Sequence, residues 1–302
     1  MNKVFIRTAR KLYESVVSNG NKRLASFRAA VIKETGKPLE IEERQIVSLK
    51  PGQVRIQVLY CSVNSVDCYK FKHGGGEFPF IPGYELSGEV IEKGKDVSNE
   101  QIIVGDRVAG LSLEHFGGLA EQCVLDVDDV WRIPSDLERK DAAVITYGHS
   151  TALYAFSKLA TLKENARVII SAGPAGLGLA AVDVAANIYK AKERGELVRQ
   201  RGAFETLHFT KNLTKQCMKI TENKGVSVVY DAVGDYMMDT IGSCTKAPLF
   251  SDDMVSDTLQ LASDGDISAH VSAKFNLKQI NEAIQFIEDK KCTGKVLIHI
   301  DD

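Results

Sequence analysis

From residue 29 to about 134 the chain alternates short apolar runs with turn residues. In Val54-Arg-Ile-Gln-Val-Leu-Tyr60 apolar side chains fall at every second position, and Gly88-Glu-Val-Ile-Glu-Lys-Gly94 and Asp106-Arg-Val-Ala-Gly110 are further short runs punctuated by glycine. A period of two with close punctuation predicts a β-rich, barrel-like module. From Asp141 to Leu159 the spacing becomes helical and Ala-rich, with Leu153 and Phe156 on the apolar face. Residues 167 to about 265 then alternate between the two patterns. Strands are predicted over Arg167–Ser171, Thr206–Phe209 and Val226–Ala232, and helices from Gly176 to about Lys190 and from Met254 to Ala262. Such alternation predicts a parallel-sheet domain. The tail reads as one helix, carried by Phe275, Leu277, Ile280, Ala283, Ile284 and Ile287, and one strand from Lys295 to Ile300.

The most informative junction is Arg167-Val-Ile-Ile-Ser-Ala-Gly-Pro-Ala-Gly-Leu-Gly-Leu-Ala-Ala, where a β-branched run passes through a Gly-rich turn into a helix. Strand, tight turn and helix N-terminus together form a dinucleotide phosphate site, because unpaired N–H groups and the helix dipole stabilise negative charge. The turn reads A-x-x-A-x-x-G over Ala172, Ala175 and Gly178, with Gly173 and Gly176 between them. Gly173, Ala175, Gly176, Leu177 and Gly178 are therefore the candidate cofactor-binding residues. An ordinary turn ahead of a buried helix is the other reading of the same residues.

Composition narrows the partners. A net charge of −2 gives no electrostatic footprint for nucleic acid. No apolar run reaches the roughly 18 residues a membrane-spanning helix needs, so neither nucleic acid nor membrane is an expected partner. The six cysteines (Cys61, Cys68, Cys123, Cys217, Cys244 and Cys292) form no C-x-x-C pair. Their scatter fits reduced thiols rather than a disulfide framework or a zinc module. Residues 1–28 stand apart: Lys3, Arg7, Arg10, Lys11, Lys22, Arg23 and Arg28 face the single acid Glu14. An Arg-rich, acid-poor, amphipathic leader of this kind reads as a mitochondrial targeting segment, against a plain basic N-terminus in a cytoplasmic protein.

Several blocks in a fixed order carry a resemblance to a known family. They are Val63-Asn-Ser-Val-Asp-Cys-Tyr69, Phe80-Ile-Pro-Gly-Tyr-Glu-Leu-Ser-Gly88, Val104-Gly-Asp-Arg-Val108, Gly117-Gly-Leu-Ala-Glu121, Trp131-Arg-Ile-Pro134, Ala142-Ala-Val144, Thr151-Ala152 and Thr293-Gly-Lys-Val-Leu297. With the Gly-rich turn, this series resembles the zinc-free quinone oxidoreductases of the medium-chain dehydrogenase/reductase superfamily. The resemblance implies an α/β fold: a GroES-like β-rich catalytic domain (29–155), a Rossmann-type dinucleotide-binding domain (156–268), and a C-terminal segment (269–302) packing back on the catalytic domain. It also implies hydride transfer from NADPH, with NADH as the alternative, to a small-molecule quinone or α,β-unsaturated carbonyl, and a homodimer as the common assembly.

Within that resemblance, zinc-dependent relatives place a Cys where Asn64 stands and a His where Tyr84 stands. Amide and phenol are poor zinc ligands, so no metal is expected. The catalytic candidates are Asn64, whose amide would hold nicotinamide or substrate oxygen, and Tyr69, whose hydroxyl would donate to the substrate carbonyl. Their structural readings are a turn cap and a half-buried core tyrosine. Thr151 matches the floor of the nicotinamide pocket, or else bonds back to its own helix. Asp67 and Glu85 read as scaffold, His149 as structural, and Asp231 as either a ligand-facing strand end or turn chemistry.

The chain also departs from the family. Only three strands of a six-stranded cofactor sheet are legible, and Ala191–Gly202 is a charged run where a second strand belongs. After Asp235 a further βαβ-sized stretch is missing, so the dinucleotide-binding domain reads as shortened and incomplete. The alternative function is therefore a non-catalytic protein that keeps the fold and has lost cofactor binding.

Overall fold

The computed structural model describes residues 26–73, 78–164, 166–171, 176–189, 213–232 and 252–300. The leader up to residue 25, the predicted strand Thr206–Phe209 and the charged run 191–202 lie outside the described residues.

A hairpin of β1 (Ser26–Val31) and β2 (Glu40–Gln45) opens the described chain. A seven-stranded sheet follows, ordered β10-β11-β3-β4-β5-β7, with β6 also on β3. Its members are β3 (Gln53–Val63), β4 (Glu85–Lys93), β5 (Arg107–Leu111), β6 (Gln122–Asp126), β7 (Val130–Arg132), β10 (Val271–Asn276) and β11 (Lys295–His299). The eleven-residue β3 reaches β11, β4 and β6 because it is long enough to pair with different neighbours along its length. Its alternation buries Val54, Ile56 and Val58 in one core, which α6 (Ile280–Glu288) closes with Ile280, Ala283 and Ile284. The short α1 (Ser65–His73) follows β3 directly.

The strands expected from alternation match β3, β4 and β5. In the tail the structure differs: Phe275 lies in β10, opposite Ile298 of β11, not on the helix. Asn276 is the switch. Its side chain accepts from Gln279 N (3.1 Å) while its own N–H donates to Gln279 Oε1 (3.2 Å), a capping box that ends the strand and starts the helical turn. All but one of the residues of β10 are half-buried, so its alternation carries little signal.

The second core surrounds α2 (Arg139–Tyr154), which is buried along almost its whole length. It packs against α3 (Gly176–Asn187) and α5 (Asp252–Ser263), and also against β4 and β5. Beside it, β8 (Val168–Ser171) and β9 (Val228–Asp231) pair in parallel, with α4 (Leu213–Ile220) preceding β9. The described part of this sheet is thus two parallel strands, with α3 following β8 and α4 preceding β9.

Candidate functional site

Strand register assembles a buried polar cluster. Leu297 pairs with Ser62 and Val296 with Val63, so the next position sets Lys295 beside Asn64. Cys61 pairs with Leu86, which brings Glu85 next to Ser62. Lys295 Nζ donates to Asn64 Oδ1 (2.6 Å) and to Glu85 Oε2 (2.7 Å). Asn64 Nδ2 donates to Ser62 Oγ (2.8 Å) and Glu85 Oε2 (3.0 Å), and the Ser62 hydroxyl donates to the same carboxylate oxygen. Glu85 Oε1 accepts from Tyr147 N on α2 (2.7 Å). Glu85 is fully buried and Lys295 is 4% exposed. A buried ion pair survives desolvation only when its lone pairs are bonded, and here Ser62, Asn64 and Tyr147 N all donate to the Glu85 carboxylate.

Asp67 fixes the loop that carries Asn64. Its carboxylate accepts from Asn64 N and from Gly83 N, both at 2.9 Å. Burial pushes this carboxyl up to about 6, against the two backbone N–H groups that favour the charged form. Gly83 has φ +90°, and a Cβ there would lie 2.7 Å from both Cys61 Sγ and Leu119 N, so only glycine fits. Over the cluster, Tyr84 meets Tyr147 edge-on at 5.1 Å and Phe116 at 5.5 Å. Lys295 Nζ lies 5.5 Å from the Tyr147 ring centre. Burial raises the phenols of Tyr84 and Tyr147, keeping both protonated.

The sequence candidates are distributed unevenly around this cluster. Asn64 is at its centre, with its amide hydrogens and oxygen all engaged. Gly176 opens α3 and touches the cluster through Lys295: a Cβ at Gly176 would sit 3.0 Å from Lys295 Cδ and Cε. Leu177 and Gly178 follow in the first turn of α3, half-buried and buried respectively. Gly173 and Ala175 lie outside the described residues. Tyr69 is 64% exposed, its ring 4.6 Å from that of His73. Thr151 Oγ1 donates back to Tyr147 O (2.7 Å), one turn earlier in α2. Asp231 ends β9 and accepts from the Ser171 hydroxyl, which in turn accepts from Ala232 N (2.9 Å).

Sequence reasoning passed over Ser62 and Lys295. The signal for Lys295 was a lysine opening the apolar strand Lys-Val-Leu-Ile, a position where an unpaired charge would be costly. Among the described residues no group of three or more His, Cys, Asp or Glu side chains is placed to hold a metal ion. For a dinucleotide phosphate the described residues fit by chemistry. The twelve-residue α3 supplies first-turn N–H groups, Gly176 adds no side chain there, and the Lys295 stem passes against it.

Comparison with known proteins agrees with this architecture. Residues 50–135 match the alcohol dehydrogenase GroES-like domain. Quinone oxidoreductase-like protein 2 of Bos taurus is 30% identical over 332 aligned positions, covering 91% of this chain and 93% of that protein. The alignment is longer than the chain itself, so the relative carries segments this chain lacks. A Nematostella vectensis homologue is 31% identical over 91% of this chain and 89% of its own. Among solved structures, mycobacterial Rv1454c complexed with NADPH superposes with a TM-score of 0.80, at 22% identity over 91% of this chain and all of that one. By its sequence relatives and its fold, the chain belongs to the quinone oxidoreductase-like protein 2 family within the medium-chain dehydrogenase/reductase superfamily.

Proposed function

We propose that the protein is an NADPH-dependent oxidoreductase that reduces a quinone or an α,β-unsaturated carbonyl without a metal. The observation that carries this reading is Lys295. Its stem crosses Gly176 at the start of α3 and its ammonium ends on Asn64 and Glu85, so one side chain joins the Gly-rich turn's helix to the catalytic module. The fold-level neighbour bound to NADPH supports the choice of cofactor.

NADPH, when bound, supplies a hydride. The chain's own residues bind and orient around it. First-turn N–H groups of α3 stabilise phosphate charge. Lys295, held in its ion pair with Glu85, adds a fixed ammonium donor. Glu85 and Asn64 hold that ammonium in one place, so it pays no reorganisation when charge develops nearby. Burial keeps the Tyr84 and Tyr147 phenols beside this cluster protonated.

The test is NADPH consumption with a small quinone by the full chain and by Gly176→Val. Added methyl groups at 3.0 Å from the Lys295 stem displace it, and turnover is expected to fall about 10- to 100-fold, the equivalent of roughly 1–3 kcal/mol of overpacking. Equal turnover in both proteins overturns the site assignment.

A second reading, a non-catalytic member, has one observation in its favour: the cavity beside Gly176 and Lys295 measures only about 10 Å3. Absence of any stabilisation by NADPH or NADH would select it. We also propose that residues 1–28 direct the protein to mitochondria; a fluorescent protein fused behind them and found in the cytosol would refute this.

A further inference from the structure

The small cavity at the head of α3 lies between the two halves of the molecule. His149 of α2, Gly176, Leu179 and Ala180 of α3, Ser268 to His270, and Gly294 and Lys295 line it. Two polar side chains here are almost fully buried, His149 at 3% and Lys295 at 4% exposed.

The state of His149 follows from its partner. Asp183 Oδ2 accepts from Ser268 N (2.8 Å), and its Oδ1 accepts from Asn187 Nδ2 (3.0 Å). Both Asp183 oxygens already accept from a backbone or amide N–H, so in the contact of His149 Nε2 with Asp183 Oδ2 (3.2 Å) the imidazole is the donor. In the neutral imidazole that proton placement leaves Nδ1 as an acceptor, and Nδ1 is buried without a hydrogen-bond partner. A buried acceptor in that condition calls for a donor.

Across the cavity, Lys295 is in the complementary condition. An ammonium has three donors. One goes to Asn64 Oδ1 and one to Glu85 Oε2, leaving the third. The occupant that satisfies both groups must accept from an ammonium and donate to an imidazole nitrogen. A halide or other simple anion accepts only. The volume of about 10 Å3 admits a single water.

We propose that this cavity is a structural water site, the water accepting from Lys295 Nζ and donating to His149 Nδ1. Asp183 and His149 thereby become positioning residues that act through the water on Lys295. The file Asp183–His149–water–Lys295–Asn64 runs from α3 and α2 to the end of β3, and it commits the third ammonium hydrogen, fixing the cation from both sides. The oxidoreductase reading is not needed for this assignment.

Two replacements separate the positioning role from simple packing. An Asn side chain reproduces the reach of Nδ1 and a Gln that of Nε2, so His149→Asn keeps a group for the water while His149→Gln keeps the group for Asp183. The readout is the side-chain ammonium of Lys295 in the full chain, followed by nitrogen-detected lysine NMR. The wild type should show a slowly exchanging ammonium. His149→Gln should speed its exchange about 10-fold, the loss expected for one hydrogen-bond link to a charged group, and His149→Asn should restore it toward wild type. Packing alone predicts the reverse order, because His149→Asn is the variant that loses Asp183; that order overturns the proposal. Should either variant fail to fold, a high-resolution crystal structure of the wild type decides. A water within hydrogen-bond distance of both His149 Nδ1 and Lys295 Nζ supports the site, and a dry cavity refutes it.

Discussion

The β-rich catalytic module and the cofactor half are built to different standards of burial. In β3, seven of eleven residues are buried, and the strand has neighbours on both sides. In β8 and β9 none of the eight residues is fully buried, and among the described residues these strands pair only with each other. The catalytic module therefore holds a buried ion pair and a buried carboxylate under strict geometric control. The cofactor half relies on α3 and α5 packing against α2. The site sits where the well-built half reaches across, through Lys295, to the start of α3.

The largest expected effect is at that crossing. Lys295→Met strands Glu85 as an unpaired buried carboxylate, and breaking such a pair costs about 3–5 kcal/mol. Chemical denaturation should show that loss, and Glu85→Gln added to Lys295→Met should recover part of it. A Lys295→Met protein as stable as wild type would break the comparison, since the pair would then be peripheral.

Next comes Asp67, within the catalytic module. Its folded carboxyl titrates at about 6, above its ordinary value near 3.8. A raised acid binds its proton more tightly in the folded state, so its contribution is full below pH 3.8 and is lost as pH rises through 6. The whole swing is worth up to about 3 kcal/mol. Measured at pH 4.5 and pH 7.5, wild type should lose ground to Asp67→Asn on going to the higher pH. A gap that stays constant, or moves the other way, contradicts the burial argument.

The smallest effect belongs to the cofactor half. Ser171→Ala removes the hydroxyl that links Asp231 to Ala232 at the ends of β8 and β9. Because the site is only half-buried, the loss should be about 1 kcal/mol. A penalty as large as that of Lys295→Met would mean the two halves are equally well sealed.

Much of the fold was legible because burial in the catalytic module is one-sided and periodic: Val54, Ile56 and Val58 announce β3 without help. The Gly176 helix and the β8 and β9 strands were legible instead from residue type, β-branched runs in the strands and an Ala-rich run in the helix. Strand β10 was not, because its half-buried residues blur the period and Phe275 fits either a helix face or a strand. The site was legible only in part. Asn64 and Gly176 could be picked out by residue type and order, yet what joins them is Lys295, 231 residues beyond Asn64. Register creates that contact, and register between β11 and β3 is not written in either strand alone. Tyr69, close in sequence to Asn64, is 64% exposed on α1 with its ring against His73.

The central claim is that the crossing at Lys295 and Gly176 serves a nicotinamide cofactor. Its most direct test is a thermal-shift titration of the full chain with NADPH and NADH in parallel. The account predicts saturable stabilisation by NADPH, worth roughly 2.7 kcal/mol at 100 times the dissociation constant. No shift with either dinucleotide would contradict it, and would leave Lys295 as the structural tie of a protein that keeps the fold without the cofactor.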